Sequence, residues 1–179
     1  GRESGFAGRR DLLFIGGYGH PPNADAMRWM ADEILPALRR LVPGTRILVA
    51  GDVPDGERRV LEDAGLDILG RVPDLAPLMN STLASIAPLR FGAGVKGKVN
   101  MAMSHGLPVI GTTVAIEGMR LVQGVDVLVA DDAQSFAAAY ARLMADEVLW
   151  MMLSDHALRN VRDHFSADAA RAALREAVC

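Results

Sequence analysis

The sequence predicts an α/β fold: a doubly wound, six-stranded, mostly parallel sheet with helices on both faces and further helices at the C-terminus. Three observations lead there. Short apolar runs alternate with longer amphipathic stretches along the whole chain. The runs are apolar at successive positions, which marks strands buried on both faces, as in parallel sheets. Each run opens into a loop or a helix, and right-handed crossovers then favour a doubly wound topology.

Leu12-Leu13-Phe14-Ile15 reads as the first strand, ending at Gly16-Gly17. The spacing predicts a helix over 23–41, where Met27, Met30, Ile34, Leu38 and Leu41 share one face. Pro36 falls inside it and is expected to kink it. Residues 46–50 form the second strand, stopped by Gly51, and 57–64 a short helix stopped by Gly65. A weak third strand over 66–69 precedes a short helix over 74–80, with Asp74 as candidate N-cap. The rhythm repeats: strand 83–87, loop 88–94, helix 95–105 closed by Gly106, strand 108–111, loop 112–118 and strand 125–130. Helices follow over 133–144, 147–164 and 167–177, the last with Ser166 as cap. On such a sheet ligands bind at the carboxyl ends of the strands, where the order reverses.

The chain has 179 residues, and 19 basic against 22 acidic side chains leave a net charge of −3. Half the residues are hydrophobic and 23% are charged, which excludes disorder. The acidic balance argues against a nucleic-acid partner. The single cysteine, Cys179, excludes a disulfide framework and a cysteine metal cage. No apolar run reaches the ~18 residues of a membrane span. Gly1-Arg2-Glu3-Ser4-Gly5 lacks the apolar region of a signal peptide, and without an initial Met a fragment of a longer chain is expected. Residues 1–10 read as a linker or remnant and 11–179 as one domain.

Three loops carry candidate chemistry. In Gly16-Gly17-Tyr18-Gly19-His20-Pro21-Pro22-Asn23 the glycines let a backbone approach a phosphate before a helix N-terminus. Pro22 replaces the third glycine of a dinucleotide fingerprint, and a tight turn that merely caps the helix remains open. Arg90-Phe91-Gly92-Ala93-Gly94-Val95-Lys96-Gly97-Lys98 places three cations and free amides at a helix start, which points to an anion such as a diphosphate more than to a solvated basic turn. In Thr112-Thr113-Val114-Ala115-Ile116-Glu117-Gly118, Glu117 lies at the sheet's carboxyl edge. It can accept bonds from sugar hydroxyls, or it is a capping or surface glutamate.

His20 alone among the histidines lies in a candidate loop; His105 reads as a helix C-terminal partner, and His156 and His164 as solvated. No histidine pair has metal-ligand spacing, and no Gly-x-Ser-x-Gly elbow exists. The methionines fall at helical spacing and read as core. A response-regulator-like module would need a phosphorylatable Asp where Gly16-Gly17 stands.

In this order the loops resemble the C-terminal, donor-binding domain of the group 1 retaining glycosyltransferases of the GT-B fold. The matching segments are Phe14-Ile15-Gly16-Gly17 with His20-Pro21-Pro22-Asn23-Ala24-Asp25, Gly70-Arg71-Val72-Pro73-Asp74, the stretch from Pro88 through Lys98 into Ala102-Met103-Ser104-His105-Gly106-Leu107-Pro108-Val109, and Thr112 to Gly118; together they span 11–165. The resemblance implies one Rossmann-like half of a two-domain bacterial enzyme. It transfers a hexosyl group from a nucleotide-diphosphate sugar to a saccharide or lipid-linked acceptor, in cell-surface polysaccharide synthesis. The implied donor-binding residues are Gly16 and Gly17 near the phosphates, His20 on the same loop against the ligand, Arg71 and Val72 at the base, Arg90, Gly92, Gly94, Val95, Lys96 and Lys98 around the diphosphate, and Thr113 and Glu117 near the sugar or the phosphate loop. No catalytic residue, metal or other cofactor is implied, because basic residues and helix dipoles stabilise the leaving diphosphate.

Two departures stand out. Members carry a glutamate before the Ala-Met pair that holds the ribose hydroxyls; here Met101 stands there, with Ala93 eight residues before it. A deoxyribose donor such as a dTDP-sugar, or a noncatalytic nucleotide-binding scaffold, would each explain this. The acceptor-binding N-terminal domain is also missing, so the chain alone is expected to be inactive. Acceptor and peripheral membrane contacts would come only through a full-length protein, cytoplasmic or at the inner face of the membrane. A GT-B sugar-nucleotide epimerase is the alternative enzyme.

Overall fold

The computed structural model describes residues 4–94 and 96–165. Val95, and the helix expected over 167–177 with its Ser166 cap, lie outside the described residues. One sheet runs in the order β3-β2-β1-β4-β5-β6, and every neighbouring pair is parallel. The strands are β1 (Arg10–Ile15), β2 (Ile47–Ala50), β3 (Asp67–Gly70), β4 (Thr82–Ala87), β5 (Val109–Gly111) and β6 (Leu128–Val129). All six residues of β4 are buried, which is why that run is apolar without alternation. The last strand is shorter than expected, because the Gly124 N–H bonds back to the Val127 carbonyl and turns the chain just before it.

Order reverses between β1 and β4. From β1 the chain crosses to β2, and from β4 it crosses the other way to β5. Right-handed connections therefore send their helices to opposite faces. The first crossover holds α1 (Pro21–Trp29) and α2 (Leu35–Leu41), and α2 packs on α7 (Ala133–Ala145). The second holds α5 (Gly97–Ser104), which packs on α8 (Glu147–Phe165). The shorter helices are α3 (Asp55–Asp63), α4 (Ala76–Ser81) and α6 (Thr113–Ile116).

The differences from the expected elements have local causes. Pro36 does not end its helix: Met30–Ile34 form a π-helical turn between α1 and α2. Proline lacks an N–H and its ring crowds the carbonyl four residues back, and a wider turn before it relieves that clash. The stretch 112–118 is not all loop, because the Thr112 hydroxyl accepts from the Ala115 N–H at 3.1 Å and caps α6. Asp74 is not the N-cap of α4, a place Leu75 takes; its carboxylate accepts from the Ala76 N–H at 2.9 Å in a turn one residue earlier. The domain also begins before residue 11. Arg10 opens β1, and Arg9, in the stretch read as a linker, is buried. Its guanidinium stacks 4.7 Å from the Trp150 ring centre and donates to the Met79 and Thr82 carbonyls at 2.7 and 2.8 Å. Trp150 in turn donates to the Leu83 carbonyl at 2.7 Å, pinning α8 to β4.

No helix among the described residues is long and apolar enough to cross a membrane.

The carboxyl ends of β1 and β2 nearly touch. A Cβ on Gly51 would lie 2.1 Å from the Gly16 carbonyl oxygen. Backbone cannot yield there as a flexible side chain would, so Gly51→Ala should cost about 1–3 kcal/mol. Urea unfolding checks this: the midpoint should fall well below that of Gly56→Ala, where a Cβ meets nothing within 4 Å.

Candidate functional site

Between the β1–α1 and β4–α5 loops lies a cavity of about 240 Å³, walled by His20, Asn23, Phe91, Gly92, Lys96 and Lys98 among others. Its two helix starts are unequal. Pro21 and Pro22 occupy the first positions of α1 and have no N–H, and the Asn23 N–H is taken by the His20 carbonyl. α5 instead begins at Gly97 after Lys96, and the Gly97 and Lys98 amides have no intrahelical acceptor by position. An anion is therefore better served on the α5 side, where the helix dipole and the lysines coincide.

The two lysines differ. Lys96 is buried, and its ammonium donates to the Gly94 carbonyl at 2.6 Å and the Gly92 carbonyl at 3.3 Å. It gathers the loop around itself, with Gly92 and Gly94 at φ of 121° and 77°. Lys98 reaches across to α1, donating to Asn23 Oδ1, and lies 4.8 Å from the Phe14 ring centre. Burial, and then the nearby Lys96 charge, push Lys98 down to about 8. None of the described residues lining the cavity is a carboxylate.

Arg90 does not line this cavity. Its guanidinium forms a two-pronged bond to Asp25 on α1, 2.9 Å from Nε and 2.5 Å from Nη2, and stacks 5.2 Å from the Trp29 ring centre. Arg90 thus ties the β4–α5 loop to α1, and holds the Asp25 carboxyl below its usual range. On the other loop, Tyr18 donates to Glu57 on α3 at 2.6 Å, and the Arg28 guanidinium stands over its ring at 5.5 Å.

Gly16 and Gly17 face a neighbouring hollow of about 270 Å³, shared with Asp52, Arg71, Val72 and Leu75. Arg71 and Asp52 form a loose, exposed pair at 3.7 Å, worth little in solvent. Thr113 and Glu117 are not brought to either hollow. They line a third, of about 350 Å³, with Arg120 and Leu121. There the Thr113 amide and hydroxyl already bond to Asp131, at 2.8 and 2.7 Å. Met101 is exposed on α5.

The sequence profile described as Glycosyl transferases group 1 matches residues 9–146. The chain belongs to this family. A Klebsiella pneumoniae relative, described as an uncharacterized 44.6 kDa protein in the cps region, is 25% identical over 136 residues, covering 71% of this chain and 35% of that protein. Among solved structures, Anabaena HepE in complex with UDP and glucose superposes with a TM-score of 0.76 at 15% identity, over 97% of this chain and 49% of HepE. The C-terminal domain of the Francisella tularensis group 1 protein LpcC superposes with a TM-score of 0.68 at 15% identity, over 89% of this chain and 88% of that domain. The fold is thus one Rossmann-like half of a GT-B glycosyltransferase, and the chain spans about half of HepE and about a third of the Klebsiella relative.

Of the residues in and around the first cavity, sequence reasoning assigned no site role to Asn23, Asp25 or Tyr18. Asn23 follows a Pro-Pro pair and reads locally as a helix start, and the Asp25–Arg90 pair spans 65 positions with no local signal.

The Lys98 shift has a stability signature. Its folded pKa, about 8, lies below the ordinary 10.5, so the unfolded chain holds more protons between those values. Stability contributed at this position therefore rises as pH climbs through that window. The unfolding free energy of wild type relative to Lys98→Met should move in favour of wild type from pH 8 to 10.5. Urea titrations of both proteins at pH 7, 8.5 and 10 would show it; parallel curves would contradict it.

Proposed function

We propose that this chain is the nucleotide-sugar donor domain of a two-domain glycosyltransferase, and that the cavity between the β1 and β4 loops holds the donor diphosphate. The observation that carries the reading is the convergence at one switch point of the open α5 N-terminus, Lys96 and Lys98, in a pocket with no carboxylate among its described lining residues. Gly16, Gly17, Arg71 and Val72 border the adjoining hollow, which suits the nucleoside. Arg90 serves by anchoring the loop rather than by meeting the anion. Val95, next to Lys96 in sequence, is proposed to share the diphosphate role, and His20 stands at the cavity wall. Thr113 and Glu117 are proposed to face sugar or acceptor only if the third hollow joins the cleft on domain closure.

The family supports glycosyl transfer; the further reading is ours. The acceptor is a saccharide or lipid-linked sugar bound mainly by a second domain, with configuration retained at the sugar. The reaction takes place at the cytoplasmic side, in cell-surface polysaccharide synthesis. Lysines and helix dipole stabilise the leaving diphosphate without a metal. This half alone binds donor and does not turn it over. Met101, exposed on α5, offers no acceptor to a ribose 2′-hydroxyl, which favours a deoxyribose donor such as a dTDP-sugar. It is also the one observation in favour of a noncatalytic nucleotide-binding domain.

Calorimetry of this chain with UDP, GDP, ADP and dTDP tests the reading. One nucleoside diphosphate should bind at micromolar levels, and Lys98→Ala should weaken it ~10-fold or more, since a hydrogen bond to a charged group is worth about 1.5–3 kcal/mol. Preference for UDP or GDP over dTDP would sink the deoxyribose assignment. Equal binding by wild type and Lys98→Ala would move the diphosphate out of this cavity.

A further inference from the structure

Asn23 is 5% exposed and stands where the two donor loops meet, yet it belongs to neither. Its amide NH2 donates to the Gly17 carbonyl at 3.0 Å, in the loop that leaves β1. Its carbonyl oxygen accepts from the Lys98 ammonium, on the helix that follows β4. Gly16 is built around it: a Cβ there would fall 2.6 Å from Asn23 Nδ2. The pair Gly16-Gly17 and the asparagine are thus one fitted unit.

We propose that Asn23 is a positioning residue of the donor site, which fixes the spacing of the two loops and presents the Lys98 ammonium to the incoming diphosphate without neutralising it. The proposal rests on the donor-site reading above. Its physical basis is the difference between an amide and a carboxylate of the same shape. An amide oxygen orients an ammonium by its dipole and leaves the full positive charge available. A carboxylate in the same place would pair with that charge and repel a diphosphate. The charged and titratable groups that share the cavity with Lys98 are Lys96, from its own loop, and His20, from the head of α1; Phe14 meets it from β1 with its ring. With no carboxylate among the described lining residues, the Lys98 charge is held by the Asn23 amide oxygen and the Phe14 ring, both neutral.

The test uses the 179-residue chain and two readouts. The first needs no ligand: competitive acetylation of Lys98 against pH, read by mass spectrometry, in wild type, Asn23→Asp and Asn23→Ser. Wild type should show a midpoint near the depressed value of about 8, and Asn23→Asp should raise it by one unit or more toward the ordinary lysine range. The second is calorimetry with UDP, dTDP and inorganic pyrophosphate. Asn23→Asp should weaken every diphosphate that wild type binds by about tenfold or more at pH 7, measured well below the variant's melting temperature, which falls because a carboxylate cannot donate to the Gly17 carbonyl. If Asn23→Asp does not fold, Asn23→Ser carries the same comparison, with loss of affinity and a shifted midpoint expected from the lost bridge. An unchanged Lys98 midpoint together with unchanged affinity in the folded variant would overturn the positioning role while leaving the donor site standing. A wild type that binds neither nucleoside diphosphate nor pyrophosphate overturns both.

Discussion

The gap between β1 and β4 governs the carboxyl edge of this protein. Two adjacent parallel strands send their chains to opposite faces of the sheet, so no helix covers the line between them. Two loops must border that line, and both are short of side-chain bulk where they approach backbone. Gly51 packs against the Gly16 carbonyl, and Gly16 against Asn23. The cavity lies beside these contacts, between the head of α1 and the β4–α5 loop, where a Cβ on Gly92 would meet the Pro22 ring at 3.5 Å.

Its polarity follows from where the prolines fall. A helix start attracts anions through amides that lack acceptors. On α1 the first two of those amides do not exist, and the third is bonded to His20. The positive end is therefore supplied almost wholly by α5 and its two lysines. The two lysines then divide the task. Lys96 satisfies loop carbonyls and shapes the loop; Lys98 sits less constrained, with one neutral partner and a depressed pKa. A charge in that state gains from an anion, because the opposite charge offsets the burial and the Lys96 repulsion that lower its pKa.

Much of this was legible in the sequence for physical reasons. Unalternating apolar runs gave away strands buried on both sides, and the sheet is parallel throughout. Glycines and lysines clustered within nine residues marked the β4–α5 loop, because local density of charge needs no long-range information. What could not be read was pairing across distance. Arg90 resembles an anion ligand until Asp25, 65 residues earlier, is seen to hold its guanidinium. Thr113 resembles a free hydroxyl until Asp131 is seen to accept from it. Short elements also escaped: the π-helical turn before Pro36 and the single turn of α6 are each stabilised by one local accommodation that leaves no periodic trace.

The clamps explain how the proposed diphosphate site can be built on loops. Loops move more than the elements they join, and a loosely held site loses affinity to the ordering it must undergo on binding. Here the β4–α5 loop is tied to α1 through Arg90 and Asp25, and the β1–α1 loop to α3 through Tyr18 and Glu57. Both ties use charged or aromatic partners outside the cavity, so these ordering groups are not the ones that line it. Lys96 and Asn23 are the exceptions: Lys96 gathers its own loop, and Asn23 lies within the cavity and bonds to both sides. An uncharged amide can stand there because it holds the loops together while adding no negative charge beside the lysines.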